Sequence, residues 1–72
     1  MIKGELEFPV GCFIKWCDEY YKVEKNTDDW KGVVTDMLGD SAQFYFNYQG
    51  EKAVRIDDEA LIKQLKEALS LT

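Results

Sequence analysis

The chain has 72 residues, 46% hydrophobic and 14% aromatic, with fourteen acidic against nine basic residues, no histidine and a formal net charge of −5. That length leaves room for one core and no second domain, at a size where roughly 60% of the unfolded chain's surface is buried on folding, and the apolar content lies outside the range of chains that stay disordered. The basic residues are spread singly along the chain, so no patch offsets the repulsion between an acidic protein and a phosphate backbone, and nucleic acid is a disfavoured partner.

The longest stretch without a polar side chain, Phe8 to Ile14, contains Pro9 and Gly11 and falls far short of the roughly 20 apolar residues that span a bilayer. Met1 to Glu7 lacks the basic head and apolar body of a signal peptide, so a cytoplasmic location with no membrane association is expected. Cys12 and Cys17 are too few to staple a secreted domain and are expected as free thiols.

Cys12-Phe13-Ile14-Lys15-Trp16 reads as a strand, being rich in aromatic and β-branched residues. Phe13, Trp16, Cys17, Tyr20 and Tyr21 also match the i, i+3, i+4 spacing of an amphipathic helix over 12–23, and periodicity leaves both readings open. Asn26 to Asp29 is a turn cluster, and Trp30 to Asp36 is a second strand in which Gly32 marks a candidate bulge. Met37 to Ser41 turns again around Gly39, Ala42 to Asn47 returns as a strand, and Tyr48 to Glu51 is a further turn. Lys52 to Ile56 alternates like a half-buried strand, so residues 30–56 are expected to form a three-stranded meander. The C-terminal segment predicts a helix capped by Asp57, with Asp58 and Glu59 in its first turn and Leu61, Ile62, Leu65, Ala68 and Leu69 along one apolar stripe.

Several chemistries are removed by composition. Without histidine there is no serine–histidine or cysteine–histidine nucleophile pair. Cys12 and Cys17 lack the Cys-x-x-Cys spacing of redox and zinc sites. The acidic clusters Asp28-Asp29 and Asp57-Asp58-Glu59 lack the alternating oxygen ligands of a calcium loop, and no glycine-rich phosphate loop occurs. The expectation is a non-catalytic protein that uses no cofactor or metal.

The aromatic set Trp16, Tyr20, Tyr21, Trp30, Phe44, Tyr45, Phe46 and Tyr48 exceeds what a small core needs. Phe44 and Phe46 share one face of their strand and read as core, whereas Trp30, beside two acids, and Tyr48, at a turn, read as exposed.

From Gly11 to about Leu61 the chain resembles a Tudor-type, SH3-like small barrel. The similarity rests on Val10-Gly11 before a strand ending in Trp16, then Trp30-Lys31-Gly32-Val33-Val34, then Phe44-Tyr45-Phe46-Asn47-Tyr48, then Val54 and Leu61. The resemblance implies a mainly β fold, a small barrel of about five short antiparallel strands with a C-terminal helix. With a helix over 12–23 the chain would instead be α+β, carrying a three-stranded meander and a C-terminal helix.

Tudor domains that bind methylated arginine or lysine use an aromatic cage, and the matching positions here are Trp16, Trp30, Phe46 and Tyr48. Asp18, Glu19, Asp28 and Asp29 would add attraction for a cation, and Tyr20 and Tyr21 would extend the interaction surface. The chain departs from the family at Tyr48-Gln49-Gly50, where a tyrosine-glycine-asparagine run is common.

The leading functional expectation is a protein-interaction module whose acidic, aromatic face meets a basic or cationic protein partner. Second stands an inhibitor or nucleic-acid mimic that occupies a basic groove on a target enzyme, although the acids are interleaved with lysines rather than aligned. Third is an accessory subunit of a larger complex.

Overall fold

The structure, a computed structural model, describes residues 7–71. The reading of a missing signal segment in Met1–Leu6 lies outside the described residues.

Among the described residues, seven strands are followed by a C-terminal helix: β1 (Phe13–Trp16), β2 (Glu19–Asp28), β3 (Lys31–Asp36), β4 (Ser41–Tyr45), β5 (Asn47–Tyr48), β6 (Glu51–Lys52), β7 (Val54–Arg55) and α1 (Glu59–Ser70). Five strands form an antiparallel sheet in the order β4-β3-β2-β1-β7, and β5 and β6 form a separate two-stranded ribbon. The protein is mainly β with a C-terminal helix, and the sheet ends in two edges.

The helical alternative for residues 12–23 is overturned. That stretch is a hairpin whose register runs from Phe13 opposite Lys22 to Trp16 opposite Glu19. Cys17 (φ 50°) and Asp18 (φ 66°) both adopt the left-handed conformation, as a two-residue turn between twisted strands requires. The helical spacing was mimicry. A two-residue turn places Ile14 opposite Tyr21, so Ile14, Trp16 and Tyr21 share one face of the hairpin.

The expected three-stranded meander over 30–56 also needs correction. β3 and β4 pair as anticipated, from Lys31 opposite Tyr45 to Thr35 opposite Ser41. The third segment does not return to β4. Phe46 bends inward to zero exposure and interrupts the strand, Glu51–Lys52 folds back on Asn47–Tyr48, and Val54–Arg55 crosses to β1. Ala53 sits between these short strands at 2% exposure, its amide donating to the Phe46 carbonyl at 2.7 Å.

The bulge anticipated at Gly32 lies in the strand opposite it. The β2–β3 register slips between Val23 and Lys25 and again between Asn26 and Asp28, and such extra residues bend a strand and raise its twist. A Cβ on Gly32 would lie 2.3 Å from the Lys25 carbonyl oxygen and 3.0 Å from Phe46 Cζ. Glycine is therefore what lets β2 and the Phe46 ring close on β3.

The core consists of Phe8, Ile14, Val23, Val34, Phe46 and Ala53, with Trp16, Tyr21, Trp30 and Phe44 packed around it. Phe8 and Phe46 stack at 4.7 Å between ring centroids and 19° between planes. Phe13, on the opposite face of β1 from Ile14, is 1% exposed, so both faces of that central strand are withdrawn from water. Asn26 is buried and donates from Nδ2 to the Phe8 carbonyl at 3.0 Å, which ties the segment before β1 to β2.

α1 begins one residue later than expected. Asp58, not Asp57, is its N-cap, accepting on Oδ1 from the amides of Ala60 (3.0 Å) and Leu61 (3.4 Å). Asp57 instead accepts from Arg55 Nε at 3.2 Å. Leu65 is the buried residue of the apolar stripe, flanked by half-buried Leu61, Ile62 and Leu69, while Ala68 is exposed.

Candidate functional site

The sheet curls far enough to set the inner face of β4 against the end of β1. Phe44 meets Trp16 at 5.6 Å with the rings at 88°, and meets Tyr21 at 5.0 Å. An open cleft of about 340 Å³ lies beside this contact, lined by Trp16, Gln43, Phe44, Tyr45 and Tyr48. Tyr45 and Tyr48 form its outer wall, their rings 5.8 Å apart and both nearly half exposed. The indole of Trp16 is held in place by its Nε1–H, which donates to the Glu51 carbonyl at 3.0 Å. The tight β5–β6 turn at Gln49 (φ 52°) and Gly50 (φ 82°) sets that carbonyl.

A second cleft, about 240 Å³, continues from the first, sharing Trp16, Gln43 and Phe44 and adding Tyr21, Val34, Ala42, Asp36 and Asp40. A third, about 320 Å³, shares Tyr21 and Asp36 with the second and adds Asp18, Glu19, Tyr20, Met37 and Leu38. The three adjoin through shared lining residues, aromatic at the Tyr48 end and acidic at the other, with Lys31 Nζ 5.8 Å from the Tyr45 ring centroid and Lys15 paired with Asp18 at 3.7 Å at the two extremes.

The acids hold their places through local geometry. Asp36 Oδ1 accepts from the amides of Leu38 (2.9 Å) and Asp40 (3.0 Å), which makes Asp36 the organiser of the β3–β4 turn. Glu19 Oε2 accepts from the Tyr21 hydroxyl at 2.5 Å. The Tyr21 phenol is pushed up from 10.0 to about 12, first by burial, then by its bond to Glu19 and by the negative charge of Glu19 and Asp36. Burial is the main cause, and the two carboxylates add to it.

Of the four residues matched to a cage, Trp16 and Tyr48 come together in the aromatic cleft. Phe46 is at zero exposure in the core. Trp30 lies apart, edge-on to Phe8 at 6.4 Å, with Lys52 Nζ 5.2 Å from its own ring centroid. That lysine also pairs with Glu7 at 2.8 Å, so an internal cation already sits against the Trp30 face. Asp18, Glu19, Tyr20 and Tyr21 line the acidic end, whereas Asp28 and Asp29 sit at the β2–β3 turn, where Asp28 Oδ1 accepts from the Asp29 amide at 2.8 Å.

Sequence reasoning left out Gln43, Asp36 and Asp40 and gave Phe44 to the core. The available signal was the inner-face register, since Phe44, Val34 and Tyr21 all alternate with outward residues and two of the three are aromatic.

Both cysteines are free, Cys12 half-buried and Cys17 exposed. Burial pushes the Cys12 thiol up, against the lowering effect of Arg55. Among the described residues no group of three or more cysteines or carboxylates is placed to hold a metal ion, and no helix is long and apolar enough to cross a membrane.

No family profile, curated protein or solved structure matches this chain.

Proposed function

We propose that the chain is a non-catalytic protein-interaction module that receives a basic side chain of a protein partner in the groove running from Trp16 and Tyr48 to Asp36 and Asp40. The observation that carries this reading is the adjacency of the two ends: π faces and carboxylates line adjoining clefts, and neither Lys31, over the Tyr45 ring, nor Lys15, paired with Asp18, lines the stretch between Trp16 and Asp36. Ring quadrupoles attract a cation by roughly 0.5 to 2 kcal/mol per contact, depending on desolvation. The adjacent carboxylates attract the same charge, and the fixed indole of Trp16 lowers the ordering cost.

An SH3-like or Tudor-like arrangement is supported by a last strand that returns to the first and by the two bulges that bend β2. The cage, however, is read as Trp16, Phe44, Tyr45 and Tyr48 rather than the four residues matched by resemblance.

The test is an NMR titration of the labelled domain with short peptides carrying unmodified, monomethylated and dimethylated lysine or arginine. The Trp16 indole signal is expected to shift, and the Trp30 indole, already against Lys52, serves as the internal control. No response of Trp16 at millimolar peptide sinks the cationic reading.

A further inference from the structure

The groove follows the unpaired side of β4. Gln43, Phe44 and Tyr45 all line the aromatic cleft, and Ala42, Gln43 and Phe44 all line the next one. Successive residues of a strand point to opposite faces, so a cleft that touches three in a row lies against the strand's edge and not on one face.

Backbone hydrogen bonding says which groups that edge presents. The Phe46 amide donates to the Trp30 carbonyl at 2.8 Å and the Asp36 amide to the Asp40 carbonyl at 2.9 Å. With the β3–β4 register, these bonds make Gly32/Phe44 and Val34/Ala42 the hydrogen-bonded pairs. The N–H and C=O groups of Ser41, Gln43 and Tyr45 therefore point away from β3. β4 is an edge of its sheet, and among the described residues no backbone hydrogen bond takes up these groups.

Natural edge strands are usually guarded by a charge, a proline, a bulge or extreme shortness. The other edge, β7, has two residues and carries Arg55. β4 is Ser-Ala-Gln-Phe-Tyr, with five residues and none of these guards, and the bulges fall in β2.

We propose that the β4 edge receives an extended, basic segment of a partner protein as an added strand, resting on the cationic reading of the groove given above. Five paired residues span about 17 Å at roughly 3.4 Å each. Alternate side chains of the incoming strand enter the groove. One lies beside Phe44, among Trp16, Tyr45 and Tyr48, and the one two residues along lies beside Ala42, next to Asp36 and Asp40. The segment thus carries a basic residue two positions from a basic or aromatic one.

Charge argues against a second copy of this chain as the occupant. Edge-to-edge pairing of two copies would join two chains of net charge −5 each.

The experiment uses a ten-residue peptide alternating lysine with valine and tyrosine, its glutamate counterpart, and the lysine peptide N-methylated at alternate backbone positions. Amide hydrogen exchange of Ser41, Gln43 and Tyr45 and the Trp16 indole signal are followed together. The lysine peptide is expected to slow exchange at Gln43 and Tyr45 by about tenfold or more and to shift the indole. The glutamate peptide should do neither, and the N-methylated one should leave exchange unchanged.

An indole shift with edge amides exchanging as in the free protein overturns strand addition and leaves the cationic groove standing. No response of either probe overturns both. Edge amides protected without peptide, in a manner lost on dilution, assign the edge to a second copy and overturn the proposal.

Discussion

Gly32→Ala puts a single methyl group where β2, β3 and the core meet. Its Cβ would approach the Lys25 carbonyl oxygen at 2.3 Å, Phe46 Cζ at 3.0 Å and Phe46 Cε2 at 3.2 Å. Glycine to alanine in a compatible backbone stabilises by about 0.4–1 kcal/mol through the unfolded chain. Against that, inserting a methyl group into a packed site costs about 1–3 kcal/mol. The nearest atom here is backbone, so relief requires β2 to move rather than a side chain to rotate. The clash wins, and with the cost at the upper end of that range a net loss of about 2 kcal/mol is expected. A chain of 72 residues has only about 4–11 kcal/mol of total stability.

Urea unfolding followed by tryptophan fluorescence reads this directly. The midpoint should fall with an unchanged slope, and the Trp16 indole signal should move in the folded state because Phe46 and Phe44 are in contact at 5.7 Å. A variant within about 0.5 kcal/mol of the parent, the range of ordinary surface changes, would refute the bulged approach of β2 to Gly32.

Three further outcomes follow from local geometry. Cys17→Asn with Asp18→Gly supplies the residues that a two-residue turn with positive φ at both positions favours, and thermal unfolding should show a gain of about 1 kcal/mol, since each ordinary side chain held left-handed costs about that much. Asp58→Ala removes the cap of α1 and should cost about 1 kcal/mol in the same assay, whereas Asp57→Ala should cost less. The raised phenol of Tyr21 means that the fold favours the neutral form, so its stabilisation is whole below pH 10.0 and is lost as pH rises toward about 12. Unfolding measured across that window should show a loss that Tyr21→Phe reduces.

Local patterns in the sequence identified β1, β3, β4 and α1 but neither β2, the longest strand, nor how distant elements join. Trp30 to Asp36 and Ala42 to Asn47 read as strands, and β3 and β4 fill most of each, because valine, threonine and aromatic residues sit between strong turn signals. The helix was marked by its stripe, and its start was misplaced by one residue because Asp57 and Asp58 are equally good caps in composition. Cys17-Asp18 gave no turn signal, since neither residue is glycine or asparagine, and that silence kept the helical reading of 12–23 alive. The path of Lys52 to Ile56 was set by Phe46 turning into the core and Ala53 following it, which is a tertiary event with no local signature.

The aromatic residues show why half of the site escaped. Composition established a surplus of rings, and the structure spends it in a graded series: Phe8 and Phe46 buried, Trp16, Tyr21, Trp30 and Phe44 at the boundary, Tyr45 and Tyr48 in water. Phe44 and Phe46 share a strand face, so periodicity gives them the same role. Their different fates come from what each meets. Phe46 stacks on Phe8, from a segment before the sheet. Phe44 meets Trp16 across the open side of the curl. That open side leaves β4 with β3 as its one sheet neighbour among the described residues and places its outer edge along aromatic and acidic clefts. One packing choice thereby creates both the groove and the strand-shaped vacancy beside it, and a ligand that engages only the rings would leave the edge unpaired. Under the proposed strand addition, an extended basic segment would satisfy the π faces, the carboxylates and the outward amides of Gln43 and Tyr45 together.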